Sequence, residues 1–207
     1  MFNVPSADIL EKGQTYLEFD ASYKQFDNTA TFTPRIVQGV GGHAEIGLNV
    51  AGLGKLAVLQ TTLVPTLKYK MYDGKDNGWG FLVGDSLSIP VQNQTYDLGN
   101  YVYAEFAKSW KTQSRLTFGL YHFTPNVVAT GQRAGGQFAL EQPVNSHVTV
   151  AADWFTGNSA VGYFTPGIIV KITRKLTWYG CYQIGNRGAL EGNHQFLTEF
   201  EIGRAHV

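Results

Sequence analysis

From residue 14 almost to its end, the chain alternates apolar and polar residues with a period of two, broken at fairly even intervals by clusters of Gly, Asn, Asp and Pro. That period belongs to a β-strand, whose successive side chains point to opposite faces of a sheet. In the first such stretch Leu17, Phe19, Ala21 and Tyr23 share one face, and Glu18, Asp20, Ser22 and Lys24 the other. A later stretch sets Ala44, Ile46, Leu48 and Val50 against His43, Glu45, Gly47 and Asn49. The pattern predicts twelve strands, at 14–25, 30–38, 43–51, 58–71, 78–89, 99–109, 114–124, 132–141, 147–155, 160–172, 176–185 and 193–203. With 207 residues and no linker or long helical pattern, they belong to one domain.

Alternate connections are short, at 38–42, 73–77, 111–113, 142–146 and 173–175, whereas the intervening ones include the longer 90–98, 125–131 and 186–192 beside the brief 27–29 and 156–158. Short turns at one end and longer loops at the other suit an up-and-down antiparallel barrel of the outer-membrane kind, with both chain ends on the short-turn side. The expected organisation is a leader at 1–12, a closed transmembrane β-barrel at 13–203, and an appended tail at 204–207. Ser6 to Glu11 could form one helical turn, and the leader as a whole is expected to be frayed rather than to act as a plug. No apolar signal run is present, and in a membrane barrel a signal peptide would have been removed from the chain.

Three features turn the apolar face outward, toward lipid. Twelve strands enclose more space than apolar side chains readily fill, since about eight already give a filled interior. Tyr23, Tyr69, Trp79, Trp154, Trp178 and Tyr182 fall near the ends of apolar faces, where membrane-interface aromatics form girdles. The polar faces carry Glu18, Asp20, Glu45, Glu105, Asp153 and Glu199 beside Arg35, Lys68, Lys70, Arg115, Arg133 and Lys171. Each charge would cost about 2–4 kcal/mol at the bilayer midplane if it faced lipid. Asp85 breaks the parity of β-residues Val83, Leu87 and Ile89, and is expected near the rim or beside a bulge at Gly84.

The leader from Val4 to Gly13, the run Tyr16-Leu17-Glu18-Phe19-Asp20, the run His43 to Asn49, and Leu67-Lys68-Tyr69-Lys70 together resemble small bacterial outer-membrane β-barrel channel proteins, the porin and phenol-degradation-pathway-like barrels. The motifs span the first third of the chain and are strand patterns rather than active-site signatures. The resemblance implies a twelve-strand outer-membrane barrel and uptake of hydrophobic or other small solutes; it carries over no catalytic residue. Many such barrels end on an aromatic residue, whereas this chain continues past Phe200 to Arg204-Ala205-His206-Val207.

The remaining chemistry is sparse. Sixteen basic and sixteen acidic residues cancel, which argues against a nucleic-acid partner. The single cysteine, Cys181, lacks neighbours with zinc-ligand spacing, and no metal or cofactor is expected. An outer-membrane lipid hydrolase would need a Ser activated by His; Ser146 and His147 are adjacent and so should point to opposite faces, and no catalytic residue is assigned. His43 near Glu45 reads as a hydrogen-bonded lumen histidine rather than a metal ligand. Gly39 to Gly42 and Gly131 to Gly136 read as turns and bulges, not phosphate cradles. Closure would bring Glu18 and Asp20 beside Glu199 and Glu201, an acidic patch expected to be neutralised by Lys24 and Arg35.

The expected protein is therefore a channel in the bacterial outer membrane, in contact with lipid, that passes or binds small polar solutes through a charged lumen. Glu18, Asp20, Arg35, Glu45, Glu105, Arg115, Arg133 and Tyr121 are expected to line that lumen, with Tyr101, Tyr103 and Tyr163 at a constriction. The alternatives are a closed, non-conducting structural or binding barrel, or a lipid hydrolase.

Overall fold

A computed structural model of the chain describes residues 1–54, 61–91, 97–188 and 194–203. Its strands are β1 (Thr15–Lys24), β2 (Thr29–Gly41), β3 (Ala44–Ala51), β4 (Leu53–Gly54), β5 (Thr62–Asp73), β6 (Trp79–Pro90), β7 (Gly99–Ser109), β8 (Arg115–Phe123), β9 (Ala134–Pro143), β10 (Val148–Phe155), β11 (Tyr163–Lys171), β12 (Leu176–Gly185) and β13 (Gln195–Ile202). Each long strand pairs antiparallel with its neighbours in the chain, and β1 pairs with both β2 and β13, which closes the sheet. The short β4 lies against β2 beyond Gly52, whose φ of 77° breaks the stave that β3 begins. The result is a closed up-and-down barrel of twelve staves plus this extra piece.

Parity fixes what each side of the wall shows. Leu17, Phe19, Ile36, Leu67, Leu120, Leu140, Val150 and Phe200 lie exposed on the outside, while Glu18, Glu45, Glu105, Glu141, Asp153, Glu199 and Glu201 are buried within. This inverts the arrangement of a protein whose apolar residues pack away from water. From a strand spacing of about 4.8 Å and a tilt of about 40°, twelve strands give a wall on the order of 20–24 Å across between backbones.

Aromatic residues gather toward both rims. Tyr69, Trp79 and Trp178 lie toward the short-turn end, and Tyr23, Trp154 and Tyr182 toward the loop end. Most keep their polar edges occupied. The Trp154 indole donates to Asn186 at 3.0 Å, that of Trp178 to Thr198 at 2.7 Å, and the Tyr23 hydroxyl to Asn28 at 3.1 Å. Lys108 lies over the Trp79 ring, 5.2 Å from its centre.

Several expectations need correction. Gly84 sits in regular pairing with Lys68 and Tyr103, and the irregularity in this region falls between Lys70 and Tyr72. A side chain at Gly84 would run into the Tyr103 ring, so close packing rather than a bulge requires the glycine. Asp85 is mid-strand on the outer wall, away from both rims, and its Oδ1 accepts a 2.6 Å hydrogen bond from the Asn100 side chain. His43 occupies the exposed β2–β3 turn with φ 66°, after Gly41 and Gly42 at 84° and 62°, so it is not a lumen histidine. The expected tail at 204–207 lies outside the described residues.

Candidate functional site: the lumen and the segment that fills it

Residues 1–14 form no helix; residues 1–10 run into the lumen and pack there, while 11–14 lie exposed where the chain enters β1. Val4, Ala7 and Leu10 are buried, each in contact with inward residues of the wall or within its apolar clusters. The leader is therefore a plug and not a frayed end. Its interior position follows from chemistry distributed over the wall: an extended segment carries unpaired backbone groups, and inside the barrel each needs a partner.

Those partners are inward charges. Asp153 on β10 accepts backbone N–H bonds from Phe2, Asn3 and Val4 at 2.9, 2.6 and 3.1 Å. Glu45 on β3 accepts from Leu10 N–H at 2.8 Å, and also pairs with Lys68 on β5 at 2.7 Å. Lys68 donates onward to the carbonyls of Ser6 and Asp8, at 3.2 and 3.0 Å. Arg115 on β8 bridges the Asp8 carboxylate and Glu141, the latter at 2.6 Å, and Glu141 is also 2.9 Å from the Met1 amine. Asn3 spans the remaining gap, donating to Thr165 at 3.1 Å and accepting from Gln183 at 2.7 Å. Where the segment leaves β1, Gly13 and Gly39 share a 2.9 Å backbone bond, and any side chain on Gly39 would strike the Leu10 and Glu11 carbonyls.

Above the polar floor, toward the loops, lies an aromatic cluster. Tyr101, Tyr103, Tyr121 and Phe123 pack with Phe155, Val4 and Val128, and Tyr163 packs against the group with its ring tilted 54° to that of Phe155. Tyr101 and Phe123 lie parallel with ring centres 4.5 Å apart. Below Tyr101 its hydroxyl donates to Gln137 at 2.8 Å, whose amide donates to Glu105 at 2.6 Å. Glu105 is fully buried. Between segment and wall a cavity of about 1000 Å³ remains, reached by Glu18, Asp20, Arg35, Glu199, Tyr101 and Phe123.

The structure thus places Glu18, Asp20, Arg35, Glu45 and Arg115 along this cavity, with Glu105 and Tyr121 buried behind it. Tyr121 donates to the Thr156 carbonyl, which fixes it as packing in the wall's upper cluster. Arg133 is different. It precedes β9 at the rim and donates to the carbonyls of Val128 and Ala129 at 3.0 and 3.2 Å, so it fastens a loop and does not line the cavity. Glu141, Asp153, Thr165 and Gln183, all on the inward parity of their strands, hold the segment and were not singled out as a set. Their partners lie in residues 1–10, a stretch without periodicity to announce its position.

Closure does join the first and last strands: Glu18 faces Glu201, and Asp20 faces Glu199. Arg35 answers them from β2, 2.7 Å from Glu18 and 3.5 Å from Asp20, while Lys24 stands at the far end of β1. Tyr179 donates to Glu201 at 3.1 Å. Ser146 and His147 lie in the exposed β9–β10 turn, not on opposite faces of a strand, and are hydrogen-bonded at 2.9 Å; the turn's freedom from strand parity permits this. In comparisons with known proteins, no family model and no curated protein matches the chain.

Proposed function

We propose that this chain is a bacterial outer-membrane barrel that admits or binds small polar solutes in a charged lumen, with residues 1–12 as the element that restricts passage. The observation carrying the reading is the polarity of the wall: exposed Leu, Ile, Val and Phe outside, buried carboxylates and their cations inside. A bilayer accommodates that exterior, and a closed barrel is one of two architectures that leave no backbone group unpaired in hydrocarbon. The aromatic residues at both rims and the resemblance of the leader and first strands to porin-like barrels support the same reading.

Inside, opposed charges make a transverse field across a narrow path, which selects by size and local charge and suits polar or zwitterionic solutes. The many bonds to residues 1–12 favour a specific second reading, a barrel that binds without conducting. Planar-bilayer recording separates them. The full chain is expected to show small or rare steps and a variant lacking residues 1–12 steady ohmic ones; a truncated barrel that inserts fully yet stays silent would remove the channel reading.

A further inference from the structure

The strand pair that closes the barrel carries an electrostatic conflict. Glu18 lies directly opposite Glu201 and Asp20 opposite Glu199, and like charges across a strand pair destabilise it. One oxygen from each of Glu18, Asp20 and Glu199 falls within 4.8 Å of the other two. Arg35 engages Glu18 through Oε1 and Asp20 through Oδ2. Three carboxylates against one guanidinium leave two negative charges in this group, the amount one divalent cation offsets.

Two further observations point at a ligand. Glu199 is only 4% exposed, and among the described residues no hydrogen bond or ion pair holds its carboxylate, which is aimed at Asp20 and Glu18. The buried Oδ1 of Asp20 likewise has no hydrogen-bond partner. Desolvated acceptors of this kind are costly unless something binds them. Three oxygens no more than 4.8 Å apart fit around a common centre at about 2.4–2.8 Å, close to the roughly 2.3–2.6 Å that Ca²⁺ requires. Every donor is a hard carboxylate oxygen, which selects Ca²⁺ over zinc or copper. The adjoining cavity leaves room for waters to complete a shell of about 6–8 ligands.

We propose that Glu18, Asp20 and Glu199 form a binding site for one divalent cation of the Ca²⁺ type, which bridges β1 and β13 and stabilises the closing seam of the barrel. The site stands independently of any solute passage. The test uses the full chain in detergent, stripped with chelator and titrated with CaCl₂ by calorimetry, with retention of the fast-migrating folded form on unheated gels as the folding control. The wild type takes up one Ca²⁺ per chain, and its thermal midpoint rises by roughly 5–10 °C when Ca²⁺ exceeds its dissociation constant about a hundredfold. Glu199→Gln and Asp20→Asn each weaken uptake at least about tenfold and abolish the thermal rise, as loss of a charged ligand from a site of so few protein donors requires. Asp73→Asn, an acidic position at the exposed β5–β6 rim outside the seam, leaves both intact. No uptake by the wild type at about 1 mM Ca²⁺, the weak end of biological calcium sites, overturns the proposal. So does uptake that persists in the Asp20→Asn, Glu199→Gln double variant.

Discussion

Replacing Asp153 by Asn should release the inner end of the N-terminal segment while leaving the barrel closed. Asp153 is 1% exposed, and one of its oxygens, Oδ2, accepts all three N–H bonds from Phe2, Asn3 and Val4. Bonds to a charged acceptor contribute about 1.5–3 kcal/mol each, more than neutral ones. Asn keeps one carbonyl acceptor but loses the charge, and it brings an NH₂ group that cannot serve a ring of donors. The three bonds share one oxygen, so their contributions do not simply add; a loss of about 2–4 kcal/mol in docking is expected, with the undocked population rising roughly 30- to 1000-fold. The wall is spared because β10 keeps its full register with β9 and β11. Hydrogen exchange followed by mass spectrometry on the 1–10 peptide measures the change, since those amides exchange only when the segment leaves its partners. Faster exchange confined to that peptide is the expected result. Unchanged protection in a folded Asp153→Asn barrel, or global loss of protection across the strands, would refute the reasoning.

Gly39→Val should push out the segment's outer end, because its side chain would occupy the space of the Leu10 and Glu11 carbonyls; limited trypsin digestion after Lys12 should then accelerate while the strand core stays resistant. Leu120→Arg, at an outer-wall position 71% exposed, should cost about 2–4 kcal/mol in equilibrium folding into lipid vesicles, and an unchanged folding free energy would place that wall in water. Arg35→Gln removes the cation that faces Glu18 and Asp20; it should lower the temperature at which the folded form is lost on gels, and a midpoint equal to the wild type's would show that the pairing contributes nothing to closure. Truncation of residues 1–12 should raise single-channel conductance without altering strand content by circular dichroism.

The twelve staves were legible because a wall with one oily and one charged face imposes its period on every strand. The predicted 99–109 and 176–185 coincide with β7 and β12, and 14–25 overshoots β1 by one residue at each end. Closure, and with it the meeting of Glu18 and Asp20 with Glu199 and Glu201, could likewise be anticipated, since an exposed edge has no place in such a barrel. Arg133 misled because strand parity was carried one residue past the beginning of β9, where a loop carbonyl competes for the guanidinium. His43 misled in the same way, since a left-handed turn residue has no strand face.

Alternation alone, then, determined an all-β chain, its staves, and which residues share a side. Tertiary structure decided that residues 1–10 lie within the barrel. Nothing local in Val4, Ala7 or Leu10 specifies burial; it arises because Asp153, Glu45, Lys68 and Arg115, scattered over four strands, converge on one extended segment only after the wall has curled around it. The same curvature set Arg35 against two carboxylates and left Glu199 facing them with no countercharge within ion-pair distance among the described residues. Periodicity is a property of neighbours along the chain, whereas the electrostatics of a lumen depends on distances across it, and those exist only once the ring is closed.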